Sequence, residues 1–256
     1  MKKSLLPLLA IALLIIGCKK NNEPFVMQDI NEETLPVSFT KRVLLEDYSK
    51  HCQFCLPINS TLDSMRYAYP DNKFIPILIS ANHPDQLPYF DSIKSIFNIT
   101  SSPTGSVNRV PAMNSGSQTG KLVYNKEHWA SNVDAELLKT TDYGIKIKST
   151  LKQDYLDFEI SIGSFKTNSE LKLSVFIIED DTYYRTVKRV MNNFRGVPVD
   201  LKENEIRKLF HYAVNLGGYN IPKTSVIAFL HYFDESTQNF EIVNVQEVKA
   251  GESVDW

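Results

Sequence analysis

The sequence contains few cysteines: three among 256 residues, at Cys18, Cys52 and Cys55. Small secreted domains that depend on disulfides for stability carry many more, so a packed hydrophobic core must hold this chain together. The length is sufficient for one large domain or two ordinary ones with such a core. The positions of the three cysteines therefore point to chemistry more than to a covalent scaffold.

The sequence also lacks a strong charge of either sign. The formal net charge is −2, and the charged residues are not clustered. A nucleic-acid-binding domain would present a basic patch or stripe. We therefore predict no nucleic-acid partner.

The apolar run at the N-terminus is too short to span a bilayer. Lys2 and Lys3 precede twelve mostly apolar residues, Leu5 to Ile16. Twelve helical residues extend roughly 18 Å, whereas the hydrocarbon core of a bilayer is roughly 30 Å thick. This pattern predicts that residues 1–17 are a signal peptide and not a transmembrane anchor.

The end of this segment, Leu14-Ile15-Ile16-Gly17-Cys18, is similar to the lipobox of bacterial lipoproteins. In that family the peptide is cut before the cysteine, which is then acylated, and several acyl chains make anchoring stable. The resemblance implies a membrane anchor through lipid on Cys18. Lys19 is similar to the residue found in lipoproteins that are forwarded to the outer membrane. The alternative is an ordinary secretory signal followed by an unrelated cysteine.

The mature chain divides into three predicted parts. Residues 18–40 are polar and lack sustained periodicity, which predicts a lipidated tether. Residues 41–141 alternate strand and helix patterns, which predicts an α/β unit around a mixed sheet. Residues 142–256 contain several alternating strand patterns separated by turn signals, which predicts an all-β sandwich.

Two patterns compete within residues 204–215. Helical spacing is shown by Ile206, Leu209, Phe210, Ala213 and Val214. Strand alternation is shown by Phe210, Tyr212 and Val214. Periodicity alone favours a helix in this segment.

The Cys52-Gln53-Phe54-Cys55 motif lies between a predicted strand and a predicted helix. This order resembles thioredoxin-like proteins, in which free N–H groups at a helix N-terminus favour the thiolate of the first cysteine. The resemblance implies that Cys52 is the nucleophile and that Cys55 resolves the mixed disulfide. His51, when protonated, would favour the Cys52 thiolate further.

Two other residues extend this resemblance. Glu46 lies six residues before Cys52, similar to the buried acid that shuttles a proton to the resolving cysteine. Ser102-Pro103-Thr104 resembles the loop whose cis-proline faces the dithiol. Pro111 is a competing candidate, but Gly105 to Val110 can form the strand that should follow Pro103.

Other interpretations of these residues stay open. Cys52 and Cys55 could form a permanent disulfide, and Glu46 could be a partly solvated acid at a strand end. The thiolates with His51 or His83 could bind copper or zinc, but no second Cys-x-x-Cys or His-x-His completes such a site. We therefore predict no metal and no cofactor.

Several segments together resemble one family, the outer-membrane-protein-twenty-eight-related lipoproteins of Gram-negative bacteria. They are the run from Lys41 to Tyr48 leading into Cys-x-x-Cys-x-Pro, the run Thr104-Gly105-Ser106-Val107-Asn108-Arg109, and the strand patterns at 171–180 and 225–233. The resemblance implies an α/β thioredoxin-like N-terminal domain followed by an all-β immunoglobulin-like sandwich domain. It also implies a strand at residues 204–215, which we adopt over the helix.

Two functions are compatible with these features. The first is a lipoprotein of the outer membrane that carries out thiol–disulfide exchange on envelope proteins through Cys52 and Cys55, with Glu46 and Pro103 assisting. The second is a non-catalytic binding lipoprotein of the outer membrane in which the Cys52–Cys55 disulfide is structural.

Overall fold

The computed structural model describes residues 26–29, 33–48, 58–79, 88–113, 122–180 and 185–256. Within these ranges the chain forms thirteen strands and three α-helices, so the architecture is mostly β. Cys18, Cys52 and Cys55 lie outside the described residues, as do His51 and His83.

The strands are β1 (Val26–Asp29), β2 (Val43–Asp47), β3 (Phe74–Leu78), β4 (Gly105–Val107), β5 (Tyr143–Lys152), β6 (Tyr155–Ser164), β7 (Lys172–Asp180), β8 (Arg185–Val190), β9 (Val197–Pro198), β10 (Glu205–Asn215), β11 (Thr224–His231), β12 (Ile242–Lys249) and β13 (Ser253–Val254). The α-helices are α1 (Ile58–Ala68), α2 (Phe90–Ile96) and α3 (Trp129–Leu137). Short 3₁₀ helices lie at Lys126–His128 and Ile221–Lys223.

The shorter sheet has five strands in the order β1-β10-β6-β5-β13, and each pair of adjacent strands is antiparallel. At its centre, β5 and β6 form a hairpin in which Lys152 pairs with Tyr155. Gln153 in the turn has a positive φ of 55°, as hairpin turns of two residues require. Alternation along β5 buries Ile145 and Ile147 on one face, as the sequence pattern predicts.

The longer sheet follows the order β12-β11-β7-β8-β3-β2-β4, with β9 paired to β7 beside this path. Strands β2 and β3 are parallel and are joined through α1, whereas β4 is antiparallel to β2. Among the described residues, one pair links β3 to β8, Leu78 with Thr186. The sheet is therefore mixed, and it combines strands from both halves of the chain.

The predicted fold class, an α/β thioredoxin-like N-terminal domain followed by an all-β immunoglobulin-like sandwich domain, is wrong. The strands β2, β3 and β4 do not form a sheet of their own but continue the sheet that contains β7, β8, β11 and β12. Local periodicity identifies strands and helices, but sheet membership depends on pairing between distant segments. The boundary predicted between residues 141 and 142 stays a prediction.

The longer sheet is buried on both faces. On β7, Val175 and Ile177 face the shorter sheet, and with the apolar face of that sheet they form what we term the inter-sheet core. Phe176 and Ile178 point the other way, into a core that also contains Leu44 of β2 and residues of α2; we term it the helix-side core. Burial on both faces explains why β7 and β11 are near-continuous apolar runs.

A third apolar cluster lies on the opposite face of β2. Val43 and Leu45 pack there against Ile58 of α1 and against Trp129 and Val133 of α3. Because alternate residues of β2 face opposite ways, Leu44, Glu46 and Tyr48 point toward the helix-side core. The sequence thus directs one acidic side chain into an apolar interior.

Residues 205–215 form strand β10, so the strand interpretation of this segment is confirmed. The pairing of β10 with β6 shifts register between His211 and Val214, and Ala213 has a positive φ of 56°. A bulge of this kind changes which face the following residues occupy. It accounts for the mixture of two periodicities in the sequence.

Residues 26–29, which lie within the predicted tether, form β1 at the edge of the shorter sheet. Val26 pairs with Phe210 and Asp29 with Arg207. Among the helices in the described ranges, none is long and apolar enough to cross a membrane.

Candidate functional site

The end of β2 defines where the cysteine-bearing segment begins. Tyr48 is the last described residue before this segment, and Ile58, the first residue of α1, is the first described residue after it. The backbone N–H of Tyr48 donates a hydrogen bond to the carbonyl of Thr104 at 2.9 Å, and Asp47 pairs with Gly105. The loop before β4 therefore lies directly beside the start of the segment that carries Cys52 and Cys55.

This loop contains Pro103, and the Ser102–Pro103 peptide bond is cis. The competing candidate, Pro111, is exposed. Gly105 fixes how closely the loop approaches the sheet, because a Cβ there would lie 2.9 Å from the Trp129 ring and 3.0 Å from the Glu46 carbonyl. Replacement of Gly105 would push the loop away from β2.

Glu46 is fully buried and has three donors on its carboxylate. Arg109 forms a two-point ion pair with it: Nε donates to Oε2 and Nη2 to Oε1, each at 2.7 Å. The Tyr48 hydroxyl donates to Oε2 at 2.8 Å. Both oxygens are occupied, so this geometry holds the carboxylate in place.

Arg109 is itself buried and is surrounded by aromatic rings. Its guanidinium carbon lies 5.5 Å from the Phe97 centroid and 5.2 Å from the Phe229 centroid. Burial opposes its positive charge, but the Glu46 carboxylate outweighs burial and raises the pKa of Arg109. Burial, reinforced by the nearby Glu46 carboxylate, raises the pKa of Tyr48 well above 10, so its phenol is a neutral donor.

His231 of β11 belongs to the same buried polar cluster as Glu46, Tyr48 and Arg109. Its Nδ1 lies 2.9 Å from the Tyr232 carbonyl, and its Nε2 lies 2.9 Å from the Ser174 hydroxyl. We assign the proton to Nδ1, because a carbonyl only accepts, which leaves Nε2 to accept from Ser174. Burial and the neighbouring Arg109 charge lower the pKa of His231 well below 6.5, so the ring is neutral.

Asn108 joins three elements next to this cluster. Its backbone N–H donates to Leu44 of β2 at 2.8 Å, and its side-chain Oδ1 accepts from the Leu44 N–H at 2.9 Å. Its Nδ2 donates to Glu136 of α3, and its carbonyl accepts from Ile242 of β12, each at 2.9 Å. Asn108 therefore ties β2 to α3 and to the far edge strand of the same sheet.

Sequence analysis included Val107-Asn108-Arg109 in the run that resembles the family but did not predict what these residues do. Asn108 and Arg109 both have positive φ values, 47° and 53°, so the chain turns sharply after β4. The turn sends the Arg109 side chain toward Glu46 and His231. Two adjacent polar residues directly after a buried strand were the available signal.

A small cleft opens beside the same loop. It encloses about 100 Å³ and is lined by Tyr48, by Phe90 and Lys94 of α2, and by residues 99–102. It lies between the residue where the cysteine-bearing segment begins and the residue before Pro103.

In the described ranges, no group of three His, Cys, Asp or Glu side chains lies close enough to hold a metal ion. Of the predicted site residues, Glu46 lies in β2, and Pro103 lies in the loop that leads into β4, the strand paired with β2. Cys52 and Cys55 lie outside the described residues, and Cys18 does as well.

No protein-family model matches the chain, and no curated protein is significantly similar to it in sequence. Solved structures are similar to it in fold. HBP35 of Porphyromonas gingivalis has a TM-score of 0.67 and 16% sequence identity, covering 83% of this chain and 76% of that one. The protein AGR_C_4864 from Agrobacterium tumefaciens has a TM-score of 0.54 and 12% identity, covering 87% and 99%.

A domain of the outer membrane lipoprotein Omp28 from Porphyromonas gingivalis is also similar, with 16% identity over 43% of this chain and 89% of that one. Its TM-score of 0.34 is too low to indicate a shared fold. The first two similarities establish a shared fold.

Proposed function

We propose that this chain is a lipid-anchored envelope protein that exchanges thiols and disulfides with other envelope proteins through Cys52 and Cys55. The hydrogen bond from Tyr48 to Thr104 is the observation that carries the proposal. It holds the Pro103 loop beside Tyr48, the last described residue before the segment that carries Cys52 and Cys55.

The proposed exchange needs only the two cysteines, a substrate disulfide and an external dithiol. In the reducing direction the Cys52 thiolate attacks a substrate disulfide, and one substrate sulfur leaves as a thiolate. Cys55 then attacks the mixed disulfide and releases the second substrate thiol, which leaves a Cys52–Cys55 disulfide. An external dithiol restores the reduced pair, and the oxidising direction is the same sequence in reverse.

The buried ion pair supports this proposal through position. Glu46 and Arg109 connect the end of β2 to the turn after β4, and these are the two elements that border the proposed site. Because Arg109 and Tyr48 occupy both carboxylate oxygens, the partners of Glu46 favour a positioning role. Its role as a proton shuttle stays a prediction.

Reduction of insulin by the purified protein in detergent, with a dithiol as the electron source, tests the proposal. We expect turnover by the wild-type protein and none by Cys52→Ser. Cys18→Ser is the matched control, since it removes a cysteine with no part in the exchange and should leave the rate unchanged. An inert wild-type protein would contradict the proposal.

The same proposal places the protein at the outer membrane through lipid on Cys18. The wild-type protein is expected in the outer-membrane fraction of the producing cell, and Cys18→Ser in the soluble envelope fraction. If the two forms fractionate alike, the proposed lipidation at Cys18 is wrong. The exchange function is then still tested by the insulin assay.

The second candidate is a binding lipoprotein in which Cys52–Cys55 is a permanent bridge. One observation favours it: Arg109 and Tyr48 donate to both carboxylate oxygens of Glu46, the residue that an exchange mechanism would use to move a proton. Such a bridge is expected to have a reduction potential below about −300 mV, whereas exchange proteins lie at about −120 to −270 mV. Equilibration with thiol buffers of known potential separates the two candidates.

A further inference from the structure

Part of the segment that the sequence predicts to be a free tether is bound to the shorter sheet. Strand β1 pairs antiparallel with β10 at four consecutive positions, from Val26 with Phe210 to Asp29 with Arg207. Backbone pairing of this kind fixes the chain relative to the sheet. Val26 is therefore a fixed point of the fold, eight residues after Cys18.

The residues that lead from β1 toward β2 are held against the same sheet. Glu33 forms ion pairs with Lys146 at 2.6 Å and with Lys208 at 3.2 Å, so it joins β5 to β10. Phe39 is buried and stacks on Phe165, with 4.5 Å between the ring centroids. This part of the predicted tether therefore adds nothing to the reach of the linkage from the lipidation site.

The linkage that is left is short compared with the fold. Eight peptide steps separate Cys18 from Val26, and they span at most about 29 Å however the intervening residues are arranged. A free tether of residues 18–40 would reach about 80 Å. A globular chain of about 240 residues is about 45 Å across. The longer reach would let any side of the fold face the membrane, whereas the shorter one excludes the side opposite β1.

The direction of β1 selects one end of the shorter sheet. Because Val26 lies opposite Phe210 and the two strands are antiparallel, the chain enters β1 from the end of the sheet toward which β10 runs. At that end, Tyr155 of β6 pairs with Asn215 of β10 on one side and with Lys152 of β5 on the other. We term Lys152, Tyr155 and Asn215 the anchor-end surface.

The anchor-end surface has residue types that suit lipid headgroups. Tyr155 is 45% exposed, and a tyrosine combines an apolar ring with a polar hydroxyl, as the membrane–water interface favours. Lys152 is exposed, and a lysine lays its apolar stem along such a surface while its ammonium group stays in the polar layer. Asp154 in the turn and Asp157 beside Lys152 balance the positive charge. The linkage, and not attraction to anionic lipid, therefore sets the orientation.

We propose that the anchor-end surface faces the membrane and contacts lipid headgroups, held there by the short linkage from acylated Cys18 to β1. The inference rests on the lipidation of Cys18 in the proposed function and adds which side of the molecule the membrane covers. The opposite end of the shorter sheet, where β6 ends at Ser164, lies about 30 Å away along the strand and faces the surrounding compartment.

Fluorescence quenching in proteoliposomes tests this orientation. The full-length acylated protein is reconstituted into phosphatidylcholine vesicles that contain a lipid with a nitroxide on its headgroup. A fluorophore is attached to the cysteine introduced by Tyr155→Cys, in a background with Cys52→Ser and Cys55→Ser. Lys166→Cys is the matched control, because Lys166 follows the other end of β6 and its side chain is also exposed.

The two labelled positions should differ sharply. We expect the nitroxide lipid to remove most of the fluorescence at position 155 and little of it at position 166. Equal quenching at the two positions, or stronger quenching at position 166, would overturn the proposal.

A longer linkage separates the effect of its length from any affinity of the surface itself. Insertion of about twenty Gly and Ser residues between Asn22 and Glu23 raises the maximum reach to about 100 Å. The difference in quenching between positions 155 and 166 should then nearly vanish. If the difference stays unchanged, the short linkage does not set the orientation and the inference is wrong.

Acylation is measured on the same samples, which distinguishes this inference from the proposed function. Mass spectrometry of the N-terminal peptide reports lipid on Cys18, and Cys18→Ser should not float with the vesicles. An acylated protein that is quenched alike at both positions overturns the orientation alone. A wild-type protein that carries no lipid and does not float overturns the lipidation, and this inference fails with it.

Discussion

The two cores on either face of the longer sheet are filled in different ways. The inter-sheet core is built from aliphatic and aromatic side chains such as Ile160 and Ile177. The helix-side core surrounds a buried ion pair, Glu46 with Arg109, and a neutral histidine, His231. Buried charges are costly to desolvate and often contribute little net stability. The comparison shows that the buried Glu46–Arg109 ion pair and the neutral His231 lie in the core that also contains Tyr48, the last described residue before the cysteine-bearing segment.

Arg109→Met is expected to have the largest effect on stability. It leaves the Glu46 carboxylate buried without its partner, which costs about 3–5 kcal/mol in the free energy of unfolding. Urea denaturation followed by circular dichroism measures this loss. The double variant Glu46→Gln with Arg109→Met should recover much of it, because no unpaired charge is left. A loss below about 1 kcal/mol for the single variant would show that Glu46 is not isolated from water.

Ile160→Ala is the matching change in the inter-sheet core. Ile160 is fully buried, and removing its side chain beyond Cβ is expected to cost about 2–5 kcal/mol. The loss should be nearly independent of pH, since no titrating group is involved, and Ile160→Val should cost only about 0.5–1.5 kcal/mol. A strong pH dependence of the Ile160→Ala effect would mean that the two cores are not separate in their energetics.

The low pKa of His231 determines how the stability of the helix-side core depends on pH. Because its pKa in the folded protein lies well below 6.5, the unfolded chain binds more protons below that pH. Stability from this group is therefore complete above about pH 6.5 and falls by up to about 1.4 kcal/mol per pH unit below it. His231→Gln should flatten the stability profile between pH 6.5 and 5 relative to wild type. Parallel profiles for the two proteins would contradict burial of a neutral ring.

The smallest effect is expected at a surface pair of the shorter sheet. Lys152 Nζ lies 2.8 Å from Asp157, but the lysine side chain is 69% exposed. Exposed pairs contribute about 0–1 kcal/mol, so Lys152→Ala should be nearly silent in urea denaturation. A loss comparable to that of Arg109→Met would show that burial is not what distinguishes the two ion pairs.

Local patterns in the sequence predicted much of the secondary structure. The alternation at Ile145 and Ile147 and in residues 155–162 predicts strands, and β5 and β6 form there. The spacing of Ile58, Leu62 and Met65 predicts a helix, and α1 forms there. The left-handed residues Asp71 and Asn72 follow α1, where Pro70 and Asp71 predict its end.

The arrangement of the sheets could not be predicted in the same way. The pair Leu78–Thr186 joins β3 to β8, and no local pattern marks which strands become neighbours across such a distance. For the same reason, the sequence flagged Glu46 but not its partners: Arg109 lies 63 residues away and His231 lies a further 122 residues along the chain. Which side chains contact Glu46 depends on how the whole core packs.

The rate of alkylation of Cys52 as a function of pH tests the central claim most directly. The reduced protein is treated with iodoacetamide, and modification at Cys52 and Cys55 is followed by mass spectrometry. A reactive thiolate predicts that Cys52 reacts faster than Cys55 and reaches half its maximal rate below about pH 7.5. A half-maximum near pH 8.5, the value of an ordinary thiol, or no difference between the two cysteines would contradict the claim.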